Sequence, residues 1–118
     1  MYEGKTQLTR MWVYKAEYAQ KMEENIAAHT KWMQETHYRE GDKALHFLNW
    51  SSAPEIKDGE ETGNITFVLT EVCETTAGVD DHFQQAQETM SLPHDLNEGI
   101  IEKIVCDRGI IKHSLWKD

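Results

Sequence analysis

Six histidines, at positions 29, 37, 46, 82, 94 and 113, are the residues of this 118-residue chain with the widest chemical reach. A neutral imidazole ligates transition metals and exchanges protons near neutral pH. Their spacing matches no local metal motif: no two stand three or four residues apart on a helical segment, and there is no HExxH sequence or Cys/His ligand pair. The sequence therefore predicts no metal and no cofactor, which leaves acid–base work. His46 and His113 fall in segments of strand character and His82 near the start of a helix. Each can be held beside a partly buried surface, and these three are the candidate catalytic residues. For any one of them, a ring hydrogen-bonded in or beside a core is the commoner role. Tyr14, Asn49 and Trp50 are the candidate ligand-binding residues, with Trp50 flanked by Asn49 and Ser51 at a strand end, where an indole can line a cavity. Glu71 and Glu74 can form a carboxylate pair, although glutamates at a strand exit are usually solvated. No Ser/His/Asp order, phosphate-cradling glycine loop or nucleophile elbow is present.

These residues have to be positioned by regular elements, and residues 65–83 show the pattern most plainly. Ile65, Phe67 and Leu69 alternate with Thr66, Val68 and Thr70, the period of a strand with one strongly apolar face. Thr75 or Thr76 can then cap a helix in which Val79, Phe83 and Ala86 share a face, with Asp80 and Asp81 near its positive end and His82 at the edge of the stripe. Upstream, residues 7–14 read as a strand with Leu8, Trp12 and Tyr14 on one face and Met11 and Val13 on the other. Residues 16–35 switch to helical period, with Tyr18, Met22, Asn25, Ile26, His29, Trp32 and Met33 in one arc, so that His29 packs on the sheet. A helix of that length spans about 30 Å.

Gly41 is the expected terminator after the helix. A strand over residues 44–52 follows, with Ala44, His46, Leu48 and Trp50 on one side and Leu45, Phe47 and Asn49 on the other. Pro54, Gly59, Gly63 and their acidic neighbours read as a solvated connection. Residues 94–99 suit a short helix; after them the spacing of Leu96, Ile100 and Ile104 suits a helix while Gly99 and the density of Ile and Val suit a strand, so an extended or mixed stretch is expected. Asp107-Arg108-Gly109 reads as a turn before a last strand from Ile110 to Trp116.

Twelve basic against 21 acidic residues give a net charge of −9, which opposes nucleic-acid backbones and anionic lipid surfaces. With four Trp, four Tyr and three Phe, the composition is that of one packed domain, residues 1–118. No apolar run reaches membrane-spanning length and no signal-like segment opens the chain, so a cytoplasmic location is expected. Cys73 and Cys106 lack partners in sequence and are expected to be reduced, structural thiols.

The order strand, helix, strand, strand, helix, strand is the α+β, ferredoxin-like split βαβ arrangement, a four-stranded antiparallel sheet with both helices on one face. Its other face is also apolar, so a homodimer closed through that face is expected. With FVLTEVCETTAGVDDHFQ, this order resembles the dimeric α+β barrel superfamily that includes antibiotic-biosynthesis monooxygenase domains. Glu71, Glu74 and His82 match a strand ending in acidic residues followed by a helix with an early histidine, and IIKHSLW is similar to a last strand in that superfamily. The chain departs from the haem-degrading branch, with Val72 or Cys73 where a tryptophan would stand and no asparagine in the first strand. The resemblance implies a cofactor-independent, monooxygenase-like enzyme or small-molecule binder with its cavity between sheet and helices. The alternative is a non-enzymatic dimeric interaction module. A pocket of about 300 Å³ or more with convergent polar groups favours the first reading and a filled core the second.

Overall fold

The computed structural model describes residues 1–89 and 94–115. Its elements are strand β1 (Thr6–Tyr14), a 3-10 turn (Ala16–Tyr18), helix α1 (Ala19–Thr36), strands β2 (Leu45–Lys57) and β3 (Glu60–Cys73), helix α2 (Thr76–Thr89), a second 3-10 turn (His94–Gly99) and strand β4 (Ile100–Ile110). The strands form one antiparallel sheet in the order β2-β3-β1-β4, an open α+β arrangement compatible with the ferredoxin-like class. Among the described residues, no helix is long and apolar enough to cross a membrane.

Alternation places Leu8, Trp12 and Tyr14 of β1 and Phe67, Leu69 and Cys73 of β3 on one face of the sheet. There they pack with Val79 and Phe83 of α2 and with Met22 and Ile26 of α1. The central strands are the most deeply buried, with Phe67 fully inaccessible and Leu8 at 1% exposure. Thr75 caps α2, its hydroxyl accepting from the Ala77 N–H at 3.1 Å. The opposite face carries Met11, Val68 and Ile104, the last exposed. Val72 is buried there opposite Phe47, whose ring meets Tyr2 edge-on.

Four expectations are corrected. First, the stretch from Ala53 to Gly63 is not a loose connection. β2 and β3 run on as a hairpin closed by Asp58 and Gly59, both at positive φ (52° and 80°), as a two-residue turn that follows strand twist requires. Pro54 is tolerated because β2 is an edge strand. Three residues of β3 bulge opposite Glu55, whose carboxylate accepts from Thr62 at 2.7 Å and Asn64 at 3.2 Å. Second, Asp107-Arg108-Gly109 is not a turn, because β4 absorbs it as a bulge facing Gln7 and Thr9, and Arg10 holds Asp107 through two 2.8 Å hydrogen bonds. The strand ends at Ile110 instead of beginning there, residues 111–115 are not strand, and Trp116 lies outside the described residues. Third, Gly41 does not end α1. That helix stops when His37 turns extended, with the Thr36 hydroxyl donating to the Trp32 carbonyl at 2.7 Å and Gln85 Nε2 donating to the Thr36 carbonyl at 3.1 Å. Fourth, a bulge between Leu45 and Phe47 breaks the alternation in β2, so Leu45 joins Leu48 and Trp50 in the core. Of the two thiols, Cys73 is buried and Cys106 is exposed, so only the first is structural.

The 3-10 turns meet where Gly99 lies against Tyr18, and a Cβ added at Gly99 would stand 2.4 Å from the Tyr18 ring. Gly99→Ala is expected to lower unfolding free energy by about 1–3 kcal/mol, the usual cost of overpacking. Urea denaturation at constant m-value checks this, and an unchanged midpoint would contradict the packing described.

Candidate functional site

Between the sheet and the two helices lies a cavity of about 230 Å³. Leu8, Trp12, Leu69, Met22, Phe83 and Leu96 supply its apolar wall, and Arg10, Tyr14, Asn25, His29 and His82 supply polar groups. Asn97 and Lys103, both exposed, also border it. Trp12 and Trp50, both in its lining, stack on each other, with ring centroids 5.6 Å apart and planes inclined by 24°.

Two helices bring imidazoles to this space. α1 carries His29 on the stripe that also buries Met22 and Met33, and α2 carries His82 one residue before Phe83. Both rings are nearly inaccessible. Hydrogen bonding decides their tautomers. The single Thr36 hydroxyl hydrogen goes to the Trp32 carbonyl, so the Thr36 oxygen accepts from His37 Nδ1–H at 2.9 Å. Neutral His37 then offers a lone pair on Nε2, which accepts from His82 Nδ1–H at 2.9 Å. His82 Nε2 is thereby left as a bare lone pair, 4.0 Å from Glu71 Oε2. On the other side, Trp50 Nε1–H donates to His29 Nδ1 at 3.2 Å.

Burial holds both imidazoles neutral. It lowers the His82 pKa to about 3, with His37 and His29 adding repulsion, and the His29 pKa to about 4, with His37 again contributing. Such rings are lone-pair donors at pH 7 and poor proton stores. Glu71 sits on the core face of β3 between Leu69 and Cys73, 1% exposed, and its Oε2 has no hydrogen-bond partner among the described residues. Burial pushes its pKa up to about 7; Arg10 opposes the shift and Asp107 adds to it. One ligand-type atom from each of His29, Glu71 and His82 lies within 4.8 Å of the other two.

The structure brings together only part of the expected set. Tyr14, Trp50 and His82 border the cavity. Asn49, paired with Thr70 on the opposite sheet face, does not. His46 sits at the β2 bulge, where Nε2 meets Glu74 Oε2 at 2.6 Å beside Lys5, away from the cavity. His113 borders a separate shallow groove with Gln7, Thr9 and Cys106. Glu71 and Glu74 are not a pair, since one is in the core and the other in this outer cluster. Arg10, Asn25 and His37 were not expected. Glu71 had a signal in the sequence, because it continues the Ile65, Phe67, Leu69 alternation.

Comparison with family models, with characterised proteins and with solved structures returns no significant match.

The buried carboxyl makes a pH-dependent prediction. Folded Glu71 holds its proton more tightly than the unfolded chain does, so its contribution to stability is complete below about pH 4.5 and is lost as pH rises through about 7. His29 and His82 act in the opposite sense: their contribution is present above about pH 6.5 and lost as pH falls towards 4 and 3. Glu71→Gln stays neutral throughout. Relative to the parent it is expected to gain on the order of 3 kcal/mol between pH 4.5 and 7 and then level off. Denaturation of both proteins across that range checks it, and a pH-independent difference would show that Glu71 ionises normally.

Proposed function

We propose that this chain binds an apolar small molecule in the cavity between sheet and helices, and that it works there as an enzyme of the monooxygenase-like kind its resemblance implies. The observation that carries this reading is a cavity of about 230 Å³ whose apolar wall ends on two neutral, buried imidazoles. A cavity of about 150 Å³ already admits benzene, so this volume suits a ligand of one or two rings. Trp12 and Trp50 offer flat surfaces for such rings, and His82 and His29 would meet the ligand's polar edge. The competing reading, a dimeric interaction module without a ligand, draws support from the same volume, which is below the roughly 300 Å³ of ordinary ligand pockets.

The same proposal takes the subunit to be a split βαβ unit acting in the cytoplasm as a homodimer closed through the face that carries Met11, Val68 and Ile104. Ile104 is 48% exposed, and apolar side chains left open over a sheet favour a symmetric partner.

Protein-observed NMR with a library of aromatic fragments, run on metal-free protein, separates the readings. Fragments are expected to bind and to perturb the Trp12 and Trp50 indole signals, and Ala86→Phe, which fills the lining, is expected to weaken binding about tenfold or more. Absence of any fragment that shifts those signals would leave the interaction module as the better account. Sedimentation is expected to give twice the mass of one chain, reduced to one by Ile104→Asp; a parent protein that sediments as a monomer at all concentrations would rule out the dimer.

A further inference from the structure

We propose that His29, Glu71 and His82 form a binding site for a divalent transition-metal ion at the inner end of the cavity. Three elements, α1, β3 and α2, each send one ligand-bearing side chain to the same point, and all three side chains are at least nine-tenths buried. Among the described residues nothing donates to the buried Glu71 Oε2, an expense a folded chain seldom leaves unmet. Opposite it stands the His82 Nε2 lone pair, 4.0 Å away and aligned by the chain through His37 and Thr36 to the Trp32 carbonyl. That is too long for a hydrogen bond. Donors about 2.0–2.2 Å from a tetrahedral ion stand about 3.4 Å apart, so binding draws this pair together by about half an ångström and the trio inward from a spread within 4.8 Å. The outer hydrogen bond from His82 Nδ1–H to His37 is the kind that fixes the tautomer of a metal-bound histidine.

Two imidazoles and one carboxylate suit zinc, iron(II) or cobalt(II) better than magnesium or calcium. The local charges permit a cation. The Arg10 guanidinium is neutralised by Asp107, and the carboxylate of Glu71 balances half the charge of the ion. Because His29 and His82 border the cavity, remaining coordination positions would open into it. This last point alone rests on the small-molecule reading.

The site has a built-in competitor. Trp50 Nε1–H occupies the Nδ1 lone pair of His29. If His29 ligates through Nδ1, that bond is displaced. If it ligates through Nε2, the ring's proton moves to Nδ1 and faces the indole N–H. Either way metal binding ends the Trp50–His29 hydrogen bond, so the Trp50 indole resonance reports occupancy.

The test is titration of the full chain, stripped with chelator, with zinc(II) by calorimetry and with cobalt(II) by absorption, while the Trp50 Nε1–H cross-peak is followed by NMR. One ion per chain is expected, with a shift of that cross-peak at the same stoichiometry. Glu71→Gln, which keeps shape, and His82→Ala are expected to weaken binding by more than the about 10–100-fold that loss of an outer hydrogen-bond partner costs. Trp50→Phe, which removes the competing donor, is expected to bind at least as tightly as the parent. His46→Ala with His113→Ala is expected to change nothing. No binding up to about 1 mM metal, or binding that survives Glu71→Gln, or binding lost with His46 and His113, would overturn the site. Fragment binding without metal binding would remove the metal site and spare the cavity reading; metal binding without fragment binding would do the reverse.

Discussion

A carboxyl group shut away from water governs this structure. Glu71 occupies a position on β3 that alternation assigns to the core, where Leu69 and Cys73 flank it and Leu8 pairs with it across the sheet. Leaving a buried acceptor unmatched costs on the order of 1–3 kcal/mol, and ionising it there costs more. The neighbouring polar groups are arranged accordingly. His82 and His29 reach the same depth, and the lone pair of His82 faces the carboxyl while its proton is committed elsewhere. The hydrogen-bond chain from His82 through His37 to Thr36 and Trp32 runs from α2 into the last turn of α1, which stops where those side chains are needed. Gln85 strengthens the same junction by donating to the Thr36 carbonyl. The two helices are thus joined by polar contacts beside the imidazoles on which the cavity's apolar wall ends.

Much of the architecture was legible. The period-2 pattern of Ile65, Phe67 and Leu69, the threonine cap before α2 and the helical arc from Tyr18 to Met33 each point to one conformation, and the elements form where those patterns stand. Legibility failed where chain direction depends on a partner strand. Asp107-Arg108-Gly109 has turn composition, yet pairing with Gln7 and the two hydrogen bonds that Arg10 donates to Asp107 draw it into β4. Pro54 and a run of acidic residues suggest a loop, and that composition masks the Asp58-Gly59 pair at its centre, which closes the hairpin.

The site was legible in pieces. Tyr14, Trp50 and His82 sit on faces that periodicity predicts, and all three border the cavity. His46 does not, because one extra residue in β2 rotates it out of step with Leu48 and Trp50, and no pattern in a single strand announces a bulge. His113 was placed by a strand that ends before it. The association of His29, Glu71 and His82 joins residues 42 and 11 positions apart in sequence through tertiary packing alone, so a search for local ligand spacings could not find it.

The hairpin of β2 and β3 also divides the molecule in time. Asp58 and Gly59 close it through a two-residue turn, so its register propagates from neighbours in sequence and little chain entropy is lost in starting it. The pairing of Thr6 with Ile110 must close nearly the whole chain before it gains anything. The central strand β1 therefore depends for both its neighbours on distant segments, a topology that slows folding relative to local contacts. Glu71 sits where the two ranges of contact meet: its strand pairs with β2 through the short hairpin, while its neighbour across the sheet, Leu8, comes from the far end of the chain.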